Sequence, residues 1–315
     1  MSETVLKINN LVKRYKELIA VDNFSMEIKK GEVFGLLGPN GSGKTTVMNC
    51  ILSILRYDKG DIEIFGEKMS PTRNDIKSRI GIVCQNVAVF DELTVYENID
   101  YFCGLYIKDK KKRKQYVEDA IEFVSLGDFR KFYPKKLSGG LLRRLNIACG
   151  IAHKPELIIM DEPTVAVDPQ SRNSILEGIA KLNENGATVI YTSHYMEEVE
   201  QLCSRILIMD TGKCIAVGTK DELKRKIKNS EIVYVDLPSI SDEHIKNISN
   251  INHVYKVEYS HKQLEIKCSG GKHNITNVIE YLSDNNISYD RIYSQMPTLN
   301  DVFLEITGKE LRDKE

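Results

Sequence analysis

Eight consecutive residues, Gly38-Pro39-Asn40-Gly41-Ser42-Gly43-Lys44-Thr45, constrain the fold more than any other stretch of this chain. They fit the spacing G-x-x-x-x-G-K-[ST] and lie between an apolar run over 32–37 that reads as a strand and a helical pattern over 43–53. Glycines in such a loop let the backbone curl until successive N–H groups point at one centre, and the helix that follows adds the positive end of its dipole. The centre so formed suits phosphate. Lys44 is then placed to neutralise β- and γ-phosphates, and the Thr45 hydroxyl to ligate Mg²⁺.

A strand that feeds its loop into a helix start belongs to an α/β domain, and the first two thirds of the chain keep that alternation. Runs over 4–8, 20–28, 61–65, 80–84, 157–160, 188–192 and 206–209 read as strands. Helical patterns cover 95–106, 115–125, 140–153, 169–183 and 195–203, and the run 108–114, six basic residues in seven, reads as a solvated helix start or loop. Charge is balanced, 44 Lys+Arg against 45 Asp+Glu, which argues against nucleic-acid binding by bulk positive charge. Apolar runs fall far short of the ~18 residues of a spanning helix. The first residues lack the pattern of a secretory signal, so a cytoplasmic location is expected. Seven scattered cysteines without C-x-x-C spacing read as reduced thiols.

At 315 residues the chain is about twice the ~150-residue prior for a domain, and a second unit is expected. Residue 231 begins it. Strand 231–237, helix 242–248, a hairpin of 254–259 and 263–268 around Ser260-His261-Lys262, helix 274–282 and strand 287–293 give the order β-α-β-β-α-β of a ferredoxin-like sandwich. Residues 219–230 form the linker, opening on the capping box Thr219-Lys220-Asp221-Glu222. A last helix, 299–306, has Thr298 as N-cap and carries Val302, Phe303 and Ile306 on one side. The histidines of this unit, His244, His253, His261 and His273, have no Cys or carboxylate at metal-ligand spacing and read as structural or solvated.

Two further motifs carry chemistry. Leu157-Ile158-Ile159-Met160-Asp161-Glu162 is an apolar strand ending in two carboxylates at the sheet edge where α/β folds bind ligands. Asp161 suits a Mg²⁺ contact, and Glu162 the polarisation of an attacking water. Leu137-Ser138-Gly139-Gly140 heads an amphipathic helix, so its hydroxyl and glycine N–H groups make a second anion-binding helix start.

With Gln85 and His194 each following a strand, residues 3 to about 220 resemble the ATP-binding cassette (ABC) ATPases. The resemblance implies an α/β P-loop cassette with a RecA-like core, an antiparallel β subdomain and an α-helical signature subdomain. It spans residues 1–220, followed over 221–315 by the small α+β ferredoxin-like domain. It implies that Tyr15 stacks on adenine and that Gly38, Pro39, Asn40, Gly41, Ser42, Gly43, Lys44, Thr45 and Thr46 hold ATP. Thr45, Gln85 and Asp161 would serve Mg²⁺, with Glu162, His194, Lys44 and Gln85 in catalysis. Leu137, Ser138, Gly139 and Gly140 would act as the signature across a homodimer, and Asp168 as the D-loop. Two cassettes packed head to tail would then sandwich each ATP between the P-loop of one and the signature of the other.

The stretches 162–172 and 192–200 and the tail 297–308 look like the ATPases of bacterial multidrug, antibiotic and polysaccharide exporters. Leu141-Leu142 stands where that family is more polar, and Ala166 where glycine is common. This branch implies integral membrane permease subunits as partners, docked on residues 86–106, and a position on the inner face of the cell membrane. The alternative, a soluble ABC ATPase of translation or repair type, calls for two cassettes in one chain or long heptads; the chain has one P-loop, one signature and no sustained heptads.

Overall fold

The structure, a computed structural model, describes residues 3–227, 231–270 and 274–308. The chain forms two compact units that part between Thr219 and Lys220. The first begins with β1 (Thr4–Tyr15), β2 (Leu18–Lys29) and β3 (Val33–Leu37), then α1 (Lys44–Ile51), β4 (Lys59–Ile64), β5 (Glu67–Lys68), α2 (Asn74–Lys77) and β6 (Ile80–Val83). Helices α3 (Val95–Gly104), α4 (Lys110–Phe123) and α5 (Gly139–Ile151) follow. The unit ends with β7 (Leu157–Asp161), α6 (Pro169–Glu184), β8 (Thr188–Ser193), α7 (Met196–Leu202), β9 (Arg205–Asp210) and β10 (Lys213–Gly218).

Two sheets organise these elements. One is six-stranded in the order β10-β9-β3-β8-β7-β6, parallel except for β10 at its edge. Every residue of β3 and β8 is buried, as is β7 up to its last residue; β3 and β7 are accordingly written as apolar runs, while β8 buries the hydroxyls of Thr188, Thr192 and Ser193 beside its apolar centre. The other sheet, β2-β1-β4-β5, is antiparallel. Along β2 the side chains of Val21, Phe24, Met26 and Ile28 face one core shared with β3 and α1, and polar residues alternate between most of them.

Helix α4 starts five residues earlier than the sequence pattern indicates. Asp109 caps it, its carboxylate accepting from the Lys112 N–H at 2.7 Å. Four basic residues therefore fill its first turn, against the helix dipole, so the cap must offset a placement that propensity disfavours. Strands β5 and β10 and helix α2 are additions to the sequence reading; β5 and α2, of two and four residues, are too short to show periodicity.

The second unit runs α8 (Lys220–Lys224), β11 (Glu231–Asp236), α9 (Asp242–Ser249), β12 (Val254–Ser260), β13 (Gln263–Cys268), α10 (Asn274–Asp284), β14 (Arg291–Gln295) and α11 (Leu299–Thr307). Its sheet order, β12-β13-β11-β14 with all pairs antiparallel, is that of a ferredoxin-like sandwich. His261 and Lys262 both adopt positive φ, 50° and 62°, and close the two-residue hairpin beneath the Ser260–Gln263 pair. The last strand lies later than 287–293. Asn286 is left-handed and the Ile287 N–H bonds back to Leu282 O at 2.9 Å, so residue 287 completes the end of α10. His244 Nδ1 lies 3.0 Å from the Tyr281 hydroxyl, a local structural contact; His273 and residues 228–230 of the linker lie outside the described residues.

Helix α11 opens on a capping box between Thr298 and Asp301, ends on left-handed Gly308, and packs against α8. Phe303 on it is only 1% exposed. Truncating that ring leaves a cavity, so Phe303→Ala should cost about 3–5 kcal/mol in the stability of this unit. A urea transition of the full chain showing less than about 1 kcal/mol loss would mean that α11 is not anchored through this face.

Candidate functional site

The loop after β3 is shaped by backbone geometry. Gly41 and Gly43 take φ of 79° and 105°, and a Cβ on Gly43 would stand 2.6 Å from Ala20 O, so both conformation and space demand glycine there. The Ser42 N–H bonds to Pro39 O at 3.1 Å and closes the curl. Lys44, the first residue of α1, is 5% exposed and turns back into the loop, donating to Gly38 O at 2.6 Å and Pro39 O at 3.2 Å. The Ser42 hydroxyl is buried without a hydrogen-bond partner among the described residues, which is the condition of a group whose partner is a bound anion.

The loop floors a cleft of about 400 Å³ whose lining also includes Tyr15, Asn40, Thr46, Gln85 and Glu162. Tyr15 sits at the end of β1 with a largely free ring, 46% exposed, and the Lys13 ammonium lies 5.1 Å from its centroid. Leu18, Ile19, Thr211 and Gly212 complete the wall beside Tyr15, a contribution with no motif in the sequence.

Asp161 and Glu162 leave the end of β7 in different directions. One Asp161 carboxylate oxygen accepts from the Thr45 hydroxyl at 3.2 Å, the other from the Thr192 hydroxyl at 2.7 Å. Thr192 in turn accepts the Glu162 N–H at 2.9 Å, so the neighbouring strand β8 fixes both acidic residues; this role was not legible from the sequence. Glu162 takes a left-handed φ of 47° and is 5% exposed. Its carboxylate meets His194 Nδ1 at 3.2 Å, Lys44 Nζ at 3.5 Å and Gln85 Nε2 at 3.4 Å. Burial pushes the Glu162 carboxyl up, but the bond with His194 and the charge of Lys44 outweigh it and hold the group below the ordinary glutamate value.

Behind this cluster, a second buried carboxylate organises the loop carrying His194. Glu198 of α7 accepts from Thr164 at 2.8 Å, Tyr191 at 2.7 Å and Ser193 at 3.2 Å, and Arg172 of α6 lies 3.4 Å from its other oxygen. The sequence pattern contained these residues without indicating that they converge.

The signature residues lie elsewhere. Ser138 caps α5, accepting from the Leu141 N–H at 3.4 Å; Ser138 and Gly139 are exposed, Leu137 is half-buried and Gly140 is buried. A Cβ on Gly140 would come within 2.5 Å of Ser171 Oγ and 3.3 Å of the Asp168 carboxylate, so this glycine lets the signature helix meet the start of α6. Asp168 caps α6, and the bond from the Ser171 N–H at 2.9 Å holds its carboxyl below the usual aspartate range. The structure thus brings Lys44, Thr45, Gln85, Asp161, Glu162 and His194 together, brings residues 138–140 beside Asp168, and puts none of residues 137–140 in the lining of the P-loop cleft.

Fold and site together define a nucleotide-hydrolysing α/β cassette, and comparison with known proteins agrees. The ABC transporter family matches residues 21–165, and the C-terminal domain of DrrA1-3-like ATP-binding proteins matches residues 218–307. The chain is 40% identical to the linearmycin resistance ATP-binding protein LnrL of Bacillus subtilis, over 98% of this chain and all of that one. It is 31% identical to the Nod factor export ATP-binding protein I of Ralstonia nicotianae, over 99% and 96%. An ATP-binding cassette solved as a dimer in a post-hydrolysis state with ADP and Pi superposes with a TM-score of 0.63 at 27% identity, covering 68% of this chain and 98% of that one. The chain belongs to the ATP-binding proteins of ABC transporters, and as such it binds and hydrolyses ATP.

The electrostatics of Glu162 are testable without turnover. Because its folded-state pKa is depressed, ionised Glu162 stabilises the fold above the ordinary glutamate value, and that contribution is lost as pH falls through the depressed one. His194→Ala removes the larger of the lowering influences and leaves burial less opposed. The Glu162 pKa, followed by carboxyl ¹³C titration of nucleotide-free protein, should therefore move up; no movement or a fall would break the assignment of His194 as its main partner.

Proposed function

We propose that this chain is the energising subunit of an exporter, working as a head-to-tail pair of cassettes beneath separate membrane permease subunits. The observation that carries the pairing is the separation, within one chain, of two phosphate-suited helix starts, at Gly43 and at Ser138. A single nucleotide in the P-loop cleft leaves the second start unused unless another copy supplies its ATP. The names of relatives matched over almost their whole length, in resistance and in export, support the transport reading over a soluble translation or repair ATPase.

In this reading Gly38, Pro39, Asn40, Gly41, Ser42, Gly43, Thr45 and Thr46 wrap the phosphates, Lys44 neutralises them, and Tyr15 stacks on adenine. Oxygen donors on Thr45, Asp161 and Gln85 fit Mg²⁺, whose chemistry when bound is to neutralise phosphate charge. Glu162 takes the proton of the attacking water, and His194 holds the transition-state γ-phosphate. Ser138 and Gly139, beside Gly140 and Leu137, close on the partner's ATP, with Asp168 at the same seam.

Permease docking on residues 86–106 has structural support. Fully buried Asn98 accepts the Phe90 N–H at 2.8 Å and donates to Phe90 O and Leu93 O at 3.0 Å, which fixes the loop before α3. Phe90 and Tyr101 are exposed on that rigid support, with ring centroids 4.9 Å apart. Among the described residues no helix is long and apolar enough to cross a membrane; in this reading the chain attaches through the permease, peripherally on the cytoplasmic face. The C-terminal unit holds none of the proposed catalytic residues and serves regulation or dimer support.

Glu162→Gln should keep MgATP binding near normal while slowing hydrolysis by about 10²- to 10⁴-fold, trapping an ATP-bound dimer visible by size exclusion. Lys44→Ala should instead weaken nucleotide binding itself. Turnover of Glu162→Gln close to that of the unaltered chain would remove the general-base role.

Stacking on Tyr15 is worth ~1–3 kcal/mol by analogy with other base–aromatic pairs, a roughly five- to hundredfold change in affinity. Tyr15→Ala should raise the dissociation constant for ATP by that factor and Tyr15→Phe should not. Equal losses in the two variants would assign the effect to the hydroxyl.

A further inference from the structure

Five residues beyond Ser138 on α5, Arg143 is buried to 3% exposure. Each of its five N–H groups meets a backbone carbonyl. Nε donates to Pro163 O at 2.6 Å, Nη1 to Cys84 O at 3.0 Å and Gln85 O at 2.6 Å, and Nη2 to Asp161 O at 3.3 Å and Glu162 O at 2.7 Å. A guanidinium carries five donors, so the group is saturated. One turn further on, Asn146 adds a donation to Cys84 O at 3.2 Å and accepts the Ala88 N–H at 3.1 Å.

Burying a guanidinium costs several kcal/mol, and an apolar side chain of similar volume would fill the space without that cost. What the guanidinium adds is registry between two segments that no longer pair. Strands β6 and β7 run parallel up to the Val83–Met160 pair; beyond it one continues into Gln85 and the other into Glu162. Arg143 holds both exits at the point where the sheet hydrogen bonds stop, and it does so from the helix whose first residues are the signature.

We propose that Arg143 is a positioning residue that ties the signature helix to the Gln85 and Glu162 backbone of its own chain, so that one guanidinium fixes both the catalytic groups at one ATP and the Ser138 presented to the other. The second effect rests on the reading above that the signature acts across the dimer. All five N–H donors of Arg143 are spent on backbone carbonyls of its own chain. Its loss acts on geometry at Glu162, where a displacement of about 1 Å is enough to cost on the order of a hundredfold in rate. Lysine retains the charge but offers three donors from one nitrogen, and cannot reach both strand exits as the guanidinium fork does.

The test uses mixed dimers of the full chain. A Ser138→Arg chain paired with a Lys44→Ala chain has one intact composite site, formed by the P-loop and Glu162 of the first and the signature of the second. Arg143→Lys is then placed in either chain in turn, and turnover, ATP affinity and thermal melting are read. Turnover should fall at least about tenfold from the first chain and severalfold from the second, with affinity changed less than about threefold, since Arg143 acts through position. Slowing from the first chain alone would overturn the effect on the signature, and slowing from neither would overturn the positioning role. Loss of affinity in step with turnover, or failure of Arg143→Lys to fold, would overturn it too, by making the residue part of binding or of the fold. A mixed dimer with Arg143 intact that hydrolyses no ATP would overturn the cross-dimer reading itself, and the effect on the signature with it.

Discussion

The buried carboxylate of Glu162 is held below the ordinary glutamate value, against its own burial, by His194 and Lys44, with Gln85 in reach from a third segment. Lys44 comes from the helix after β3, His194 from the loop after β8, and Gln85 from the exit of β6. Without them the desolvation of a 5% exposed carboxylate would push its pKa up instead. The sheet order β3-β8-β7-β6 is what supplies them, since it sets the C-terminal ends of four parallel strands side by side. Even the left-handed backbone at Glu162, costly for a residue with a Cβ, is held by the Thr192 hydroxyl on its N–H and by Arg143 on its carbonyl.

Much of this was legible in the sequence because it depends on short-range chemistry. The loop from Gly38 to Thr45 announces itself, since only glycine tolerates the φ of 105° and the 2.6 Å approach at residue 43, and only a strand and a helix can flank it. The βαββαβ order of the second unit was readable for the same reason: alternation in β13 and the hairpin turn at His261 and Lys262 are local. What stayed hidden involves contacts between distant residues that carry no signature by type. Thr192, Glu198 and Arg143 sit in patterns that named their neighbours and gave them no partner. A buried arginine that meets only carbonyls leaves no complementary acidic residue to search for.

Boundaries failed where a single side chain overrode periodicity. Asp109 starts α4 within a run of lysines that averaging over a window reads as solvent-facing, and Asn286 moves the last strand by spending residue 287 on a helix end. Neither shift alters the site, because neither residue belongs to the strand ends that build it.

On the proposed reading, the same electrostatics make the catalytic group responsive to its substrate. In the nucleotide-free chain the Lys44 ammonium is divided among Gly38 O, Pro39 O and the Glu162 carboxylate. A triphosphate in the loop offers Lys44 a denser negative charge than one carboxylate, and Lys44 can reach it by a small rotation of a flexible stem. Glu162 then loses one of the two groups that hold its pKa down, while its burial is unchanged or deepened by closure. The balance shifts toward the raised side, and a carboxylate with a higher pKa is the stronger base toward water. Phosphate capture and base strength are thus linked through one ammonium group. The strands place Glu162, and the charge of the bound nucleotide sets how strongly it pulls a proton.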